Sequence, residues 1–127
     1  MKSIKQSYTI NVPAKDVWQA LVDPKIIDKW GAGKSVMDDK PGFEFSLWNG
    51  SIWGKNIEVV KQKKLVQQWY AEKKWEKPSI VTFTLEEKSG KTTVSLLHTD
   101  IPDSEYQGIS KGWNDYYLGK IKNLLEN

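Results

Sequence analysis

The 127-residue sequence contains no cysteine and no arginine, and one histidine, His98. Without cysteine there is no disulfide framework, zinc ribbon, iron–sulfur centre or thiol nucleophile, and such a chain fits a reducing compartment. A lone histidine cannot build a metal site of the usual ligand spacing. All 19 cationic side chains are lysines, hydrated point charges without the planar fork that grips phosphate or guanine at two points. They are interleaved with acids, apart from small clusters at Lys61, Lys63, Lys64 and at Lys73, Lys74, Lys77. A net charge of +3 spread in this way describes a solvated surface rather than a nucleic-acid interface. No apolar run approaches the roughly 20 residues of a membrane span. Residues 1–10 alternate polar and apolar where a signal peptide would carry an apolar block. No glycine-rich phosphate loop, nucleotide fingerprint or catalytic triad motif occurs. The expectation is a cytoplasmic monomer or weak dimer with no cofactor, no metal, no nucleic acid and no membrane insertion.

Aromatic residues are abundant instead. Seven Trp, five Tyr and three Phe in one domain's length of chain must mostly be buried or line a cavity. Burying one large aromatic removes about 200 Å² from water, worth roughly 5 kcal/mol as an upper bound. A core of this kind needs no cross-link.

The periodicity changes three times along the chain. Ser3 to Asn11 alternates, with Ile4, Gln6, Tyr8 and Ile10 on one side, and reads as a strand. After Pro13, Val17, Trp18 and Leu21 follow at helical spacing. Asp23-Pro24 ends that helix and opens a second with Ile26, Ile27 and Trp30, which Gly31-Ala32-Gly33 breaks. Strands dominate from Lys34 to Asp100. Phe43, Phe45 and Leu47 alternate with Glu44, Ser46 and Trp48, and Asn49-Gly50 marks a tight hairpin because both positions tolerate positive φ. A return strand runs to about Val60, a lysine-rich turn leads to a strand over Leu65–Tyr70, and two more strands flank Ser89-Gly90, carrying Val81, Phe83, Leu85 and Val94, Leu96, His98. Beyond Ile101-Pro102 the period becomes about 3.6. Ile109, Trp113, Tyr116, Tyr117, Ile121 and Leu124 form one stripe of a long amphipathic helix starting between Ser104 and Ser110. Antiparallel strands with helices kept apart from them mark α+β. The concave face of the sheet is the one large surface that can bury the helix stripe, and a pocket is expected between them.

In this order and spacing the sequence resembles the activators of the heat-shock protein 90 ATPase, specifically their C-terminal domain, within the START-like (SRPBCC) superfamily. The resemblance runs through Val17-Trp18 with Leu21, Asp23-Pro24, Trp30, Gly42-Phe43, Gly50-Ser51-Ile52 with Gly54, and Lys64-Leu65-Val66 with Trp69. It continues with Trp75, Val81-Thr82-Phe83, Gly90, Thr92 and Ile101-Pro102, and it is most specific in Gly112-Trp113-Asn114-Asp115-Tyr116-Tyr117 with Ile121. It implies one helix-grip domain over 1–127: a curved antiparallel sheet of about six to seven strands around the C-terminal helix, with two short helices after the first strand. The eukaryotic activators also carry an N-terminal chaperone-contacting domain, absent from this sequence, so the resemblance implies that this chain alone does not stimulate the ATPase. Fold-level likeness carries little about activity by itself.

Three functions compete. The first is a non-enzymatic domain enclosing a small lipophilic or aromatic molecule between sheet and helix. Its lining would be Trp18, Trp30, Phe43, Phe45, Trp69, Phe83, His98, Trp113, Tyr116 and Tyr117, with His98 and one of the two tyrosines as polar orienting groups. The second is an interaction module related to chaperone activation, with a chaperone as a weak partner, which an exposed aromatic patch on the outer surface would favour. The third is a cyclase- or hydrolase-type enzyme using His98 or a carboxylate such as Glu44, Glu58 or Asp100 in a wet cleft. A catalytic role is less favoured, because no recognisable motif ties His98 to a nucleophile.

Overall fold

In the computed structural model, which describes residues 1–71 and 76–127, the alternation at the N-terminus becomes strand β1 (Lys2–Ile10), with Ile4 and Ile10 buried. Helix α1 (Ala14–Val22) buries Val17, Trp18 and Leu21. Asp23 separates it from α2 (Pro24–Trp30), and its carboxylate accepts from Lys25 N at 3.0 Å. Pro24 takes the first helical position, where its missing N–H costs nothing, and Gly31 ends the helix at φ +113°.

Five more strands follow: β2 (Glu44–Leu47), β3 (Ile52–Val60), β4 (Lys64–Ala71), β5 (Ser79–Lys88) and β6 (Lys91–Ile101). All pairs are antiparallel, in the order β1-β6-β5-β4-β3-β2. The result is a curved six-stranded sheet, an α+β helix-grip fold as expected. Its inner face buries Phe45, Leu47, Leu65, Trp69, Val81, Phe83, Leu85, Val94, Leu96 and His98. Trp75, Lys73 and Lys74 lie outside the described residues.

Asn49 and Gly50 hold φ of 55° and 94° between Trp48 O and Ser51 N, which are 3.2 Å apart. The hairpin turn thus forms where expected, but β2 ends one residue early. Trp48 is not an outward strand residue: it takes φ +50°, and its ring lies 6.4 Å from Trp30 and 6.1 Å from Tyr117. Burying the indole among those rings supplies the stabilisation that holds an unfavourable backbone angle.

The C-terminal helix consists of α3 (Tyr106–Gly112), a π turn over Trp113–Tyr117, and α4 (Leu118–Glu126). Gly119 permits the π turn, since a Cβ there would meet the Asn114 carbonyl oxygen at 2.0 Å. The wider turn advances each residue by less than the α-helical angle, so the stripe slips. Trp113, Tyr117, Leu118 and Ile121 are buried, whereas Tyr116, which a uniform period places on the stripe, is 64% exposed. The helix lies across β4 and β5, with Trp113 5.0 Å from Trp69 and Tyr117 5.7 Å from Phe83. Edge strand β1 is tied to the same helix through Gln6 Nε2 donating to Ser110 O at 2.9 Å and Lys122 Nζ donating to Thr9 O. Among the described residues no helix is long and apolar enough to cross a membrane.

Candidate ligand cavity

Between the β2–β3 hairpin, β4 and the start of the C-terminal helix lies a cavity of about 360 Å³. The hairpin contributes Trp48 and Ile52, β4 contributes Trp69, and α3 contributes Gly108, Ile109 and Gly112. The π turn adds Trp113, Tyr116 and Tyr117. Small-molecule sites commonly have about this size and composition. No charged side chain lines it among the described residues.

Its aromatic wall is held from behind by polar groups. Trp69 Nε1 donates to Gln67 Oε1 at 2.8 Å, Gln67 Nε2 donates to Asn56 Oδ1 at 2.9 Å, and Asn56 Nδ2 reaches Asp38 O at 2.8 Å. Gln67 and Asn56 are completely buried. Trp113 Nε1 donates to His98 Nδ1 at 3.1 Å. Nε2 of His98 therefore carries the ring's proton and donates to Ser79 Oγ at 2.8 Å, and Ser79 Oγ donates in turn to Trp69 O at 3.4 Å. Burial lowers the His98 pKa from 6.5 to about 4, so the ring is neutral at physiological pH. Both indole N–H groups are turned into the protein. Trp69 and Trp113 therefore present carbon to the cavity.

Tyr117 differs. Its hydroxyl is buried and has no partner among the described residues, a property it shares with Trp18 Nε1. Burial pushes its phenol pKa up, so the group remains a donor.

Of the residues singled out from sequence, Trp69, Trp113, Tyr116 and Tyr117 border the cavity. Phe83 stands behind Tyr117, Trp30 packs on Tyr117 at 4.6 Å, and Phe45 lies 6.3 Å behind Trp69. Trp18 is buried in α1, Phe43 is half-buried at the edge of the core, and His98 has both nitrogens occupied within the protein. Glu44, Glu58 and Asp100 are exposed and do not border the cavity. No cluster of three or more potential metal ligands occurs among the described residues. Sequence reasoning missed Trp48, Ile52, Ile109 as a lining residue, and the glycines of α3. The signals for them were the positive-φ turn beside Trp48 and the spacing of Gly108 and Gly112 on one helical face.

Comparison with known proteins places this geometry. Residues 11–126 match the family described as Activator of Hsp90 ATPase homolog 1-like protein. An uncharacterised protein of Schizosaccharomyces pombe is 28% identical over 96% of this chain and 37% of its own length. The Hsp90 co-chaperone AHA1 of Saccharomyces cerevisiae is 27% identical over 94% of this chain and 36% of its own. The chain thus spans about a third of the length of these curated relatives. A crystal structure of an HSP90 activator from Plasmodium falciparum superposes with a TM-score of 0.90 at 28% identity, covering 98% of this chain and 96% of that one. The chain belongs to the family of Activator of Hsp90 ATPase homolog 1-like proteins.

Proposed function

We propose that this domain binds a small hydrophobic or aromatic molecule in the cavity between sheet and C-terminal helix. The observation that carries the reading is the cavity itself, about 360 Å³ lined by aromatic faces and backed by two buried hydrogen-bond chains. Fully satisfied buried polar chains fix ring orientation, which a preformed site requires and a simple core does not. The geometry gives less support to catalysis. His98 is neutral, buried and engaged at both nitrogens, and the candidate carboxylates face solvent elsewhere.

The test is a fluorescence titration with lipophilic compounds, in the parent and in Gly112→Leu. A Cβ at Gly112 meets only Tyr116 Cδ2, at 3.8 Å, so the larger side chain extends into the space without striking the core. Saturable quenching in the parent, weakened about tenfold or more by the added side chain, supports the reading. Saturable quenching untouched by Gly112→Leu rejects this cavity as the site.

A second reading has its own observations. The Plasmodium relative, matched over almost its whole chain, is described as an HSP90 activator. On the outer face of the sheet the cross-strand pair Trp53–Tyr70 stacks at 5.9 Å, and Trp53 and Val36 are both exposed. Such a patch supports a weak contact with an Hsp90-type chaperone. On this reading the chain stimulates that chaperone's ATPase at low salt, and Trp53→Ser reduces the effect. Equal rates with and without the protein reject it.

A further inference from the structure

We propose that the outer face of the sheet carries a binding site for an uncharged saccharide, with Trp53 as its stacking platform. The inference goes beyond both readings above and does not depend on the cavity. It shares a face with the chaperone contact, and the experiment below separates the two.

The site spans two successive rungs of the sheet. On one, Ser46, Trp53 and Tyr70 stand side by side on β2, β3 and β4; on the next, Glu44, Lys55 and Gln68 do the same. By alternation all six project away from the buried Phe45, Gly54 and Trp69. Together they border a depression of about 550 Å³. Successive rungs on one face lie about 7 Å apart and neighbouring strands about 5 Å, a span on the scale of a sugar ring.

Three properties select a saccharide. The first is the platform. The Trp53 and Tyr70 rings lie 5.9 Å apart and 12° from parallel, so Tyr70 braces one face of the indole. The neighbour on the other side is the small Ser46, and Trp53 is 41% exposed. A flat apolar surface held open to water in a fixed orientation suits the C–H face of a pyranose, and the bracing removes an ordering cost that a mobile tryptophan would add.

The second is the hydrogen-bonding rim. Glu44 only accepts, Lys55 only donates, and Ser46 and Gln68 do both, which together match hydroxyl groups that each donate and accept. A hydrocarbon would strip water from these side chains without replacing it. The third is charge. Glu44 and Lys55 face each other across the β2–β3 ladder, and neither enters an ion pair among the described residues. Opposite charges on one rung repel an ionic ligand about as much as they attract it, whereas a neutral polyol bonds to both.

The test is two-dimensional NMR of the parent chain titrated with maltotetraose, cellotetraose, laminaritetraose and N-acetylchitotetraose, each to about 10 mM, high enough to reveal a millimolar complex. With at least one of them, saturable shifts are expected at the Trp53 indole and at the Glu44, Lys55 and Gln68 amides, with the Trp48, Trp69 and Trp113 indoles unmoved. Trp53→Ala is expected to weaken that complex about tenfold or more, and Lys55→Met, which keeps the apolar stem, about three- to tenfold. Both positions are exposed, so thermal melts close to the parent's verify an intact fold. No shift with any of the sugars overturns the proposal. So does binding that both variants leave unchanged, or shifts confined to the cavity indoles. A Trp53 signal that moves with an Hsp90-type chaperone and with none of the sugars also overturns it and assigns the face to protein contact.

Discussion

At the scale of single residues, His98 links the fold to pH in a way that one measurement isolates. The unfolded chain takes up the imidazole proton near pH 6.5, and the folded chain near pH 4. Between those values the unfolded state binds more protons, so the stability contributed is complete above about pH 6.5 and is lost progressively as the pH falls toward 4. Its full size is on the order of 3 kcal/mol. No other histidine contributes, so the titration has a single owner. Protonation also forbids Nδ1 from accepting the Trp113 N–H, which couples acid to the cavity wall. The expected outcome is a melting temperature that falls markedly from pH 6.5 to 4.5 in the parent and less in His98→Gln. Parallel curves would show that His98 does not titrate as its burial demands. Gln67 offers a comparable experiment without pH. Gln67→Leu leaves Trp69 Nε1 and Asn56 Oδ1 buried without their partner, at about 1–3 kcal/mol each.

At the scale of elements, the C-terminal helix carries the main packing test. Trp113 is buried against Trp69, Phe83 and His98, and Trp113→Ala should cost about 3–5 kcal/mol in denaturant unfolding. A variant as stable as the parent would contradict the placement of the helix. Gly112→Ala and Gly119→Ala should move stability in opposite directions. At Gly112 the new methyl meets nothing closer than 3.8 Å, and alanine is favoured over glycine in a helix by about 0.5–1 kcal/mol. At Gly119 it meets the Asn114 carbonyl oxygen at 2.0 Å, so the π turn must rearrange, at about 1–3 kcal/mol. Thermal melts of the two variants check the contrast.

These elements also show where sequence reasoning reaches. Alternation locates β1, β5 and β6 because buried or half-buried residues recur at every second position over most of each strand. Asp23-Pro24 and Asn49-Gly50 announced a cap and a turn through backbone chemistry that only a few residues satisfy. The α3–α4 stripe is legible at Trp113, Tyr117 and Ile121, all buried as their spacing predicts. Within the π turn and just after it a uniform period misassigns two residues, because a π turn leaves no periodic mark: it puts exposed Tyr116 on the buried side and passes over buried Leu118. Trp48 escaped for a related reason: a positive φ in a bulky residue follows from the packing it reaches, not from its neighbours in the chain. Gln67 was more accessible. It sits between Leu65 and Trp69 at period two, which points a polar side chain inward and asks for a buried partner.

At the scale of the whole molecule, the family is established while the role of this chain rests on its interior and its outer face. The expectation that the chain alone leaves the chaperone ATPase unstimulated relied on the avidity of two tethered domains. The Plasmodium protein, described as an HSP90 activator and covered by this match over 96% of its chain, weakens that argument without touching the cavity. The two faces are separable. The cavity lies between sheet and helix, whereas Trp53 and Tyr70 lie on the opposite side of the sheet.

The central claim is that the cavity is a ligand site, and seven indole N–H signals make it directly observable by two-dimensional NMR during a fluorenone titration. The account predicts saturable shifts of the Trp48, Trp69 and Trp113 indoles and of the Gly108 and Gly112 amides, with the Trp53 indole unmoved. Shifts confined to Trp53, or none up to the solubility limit, would contradict it.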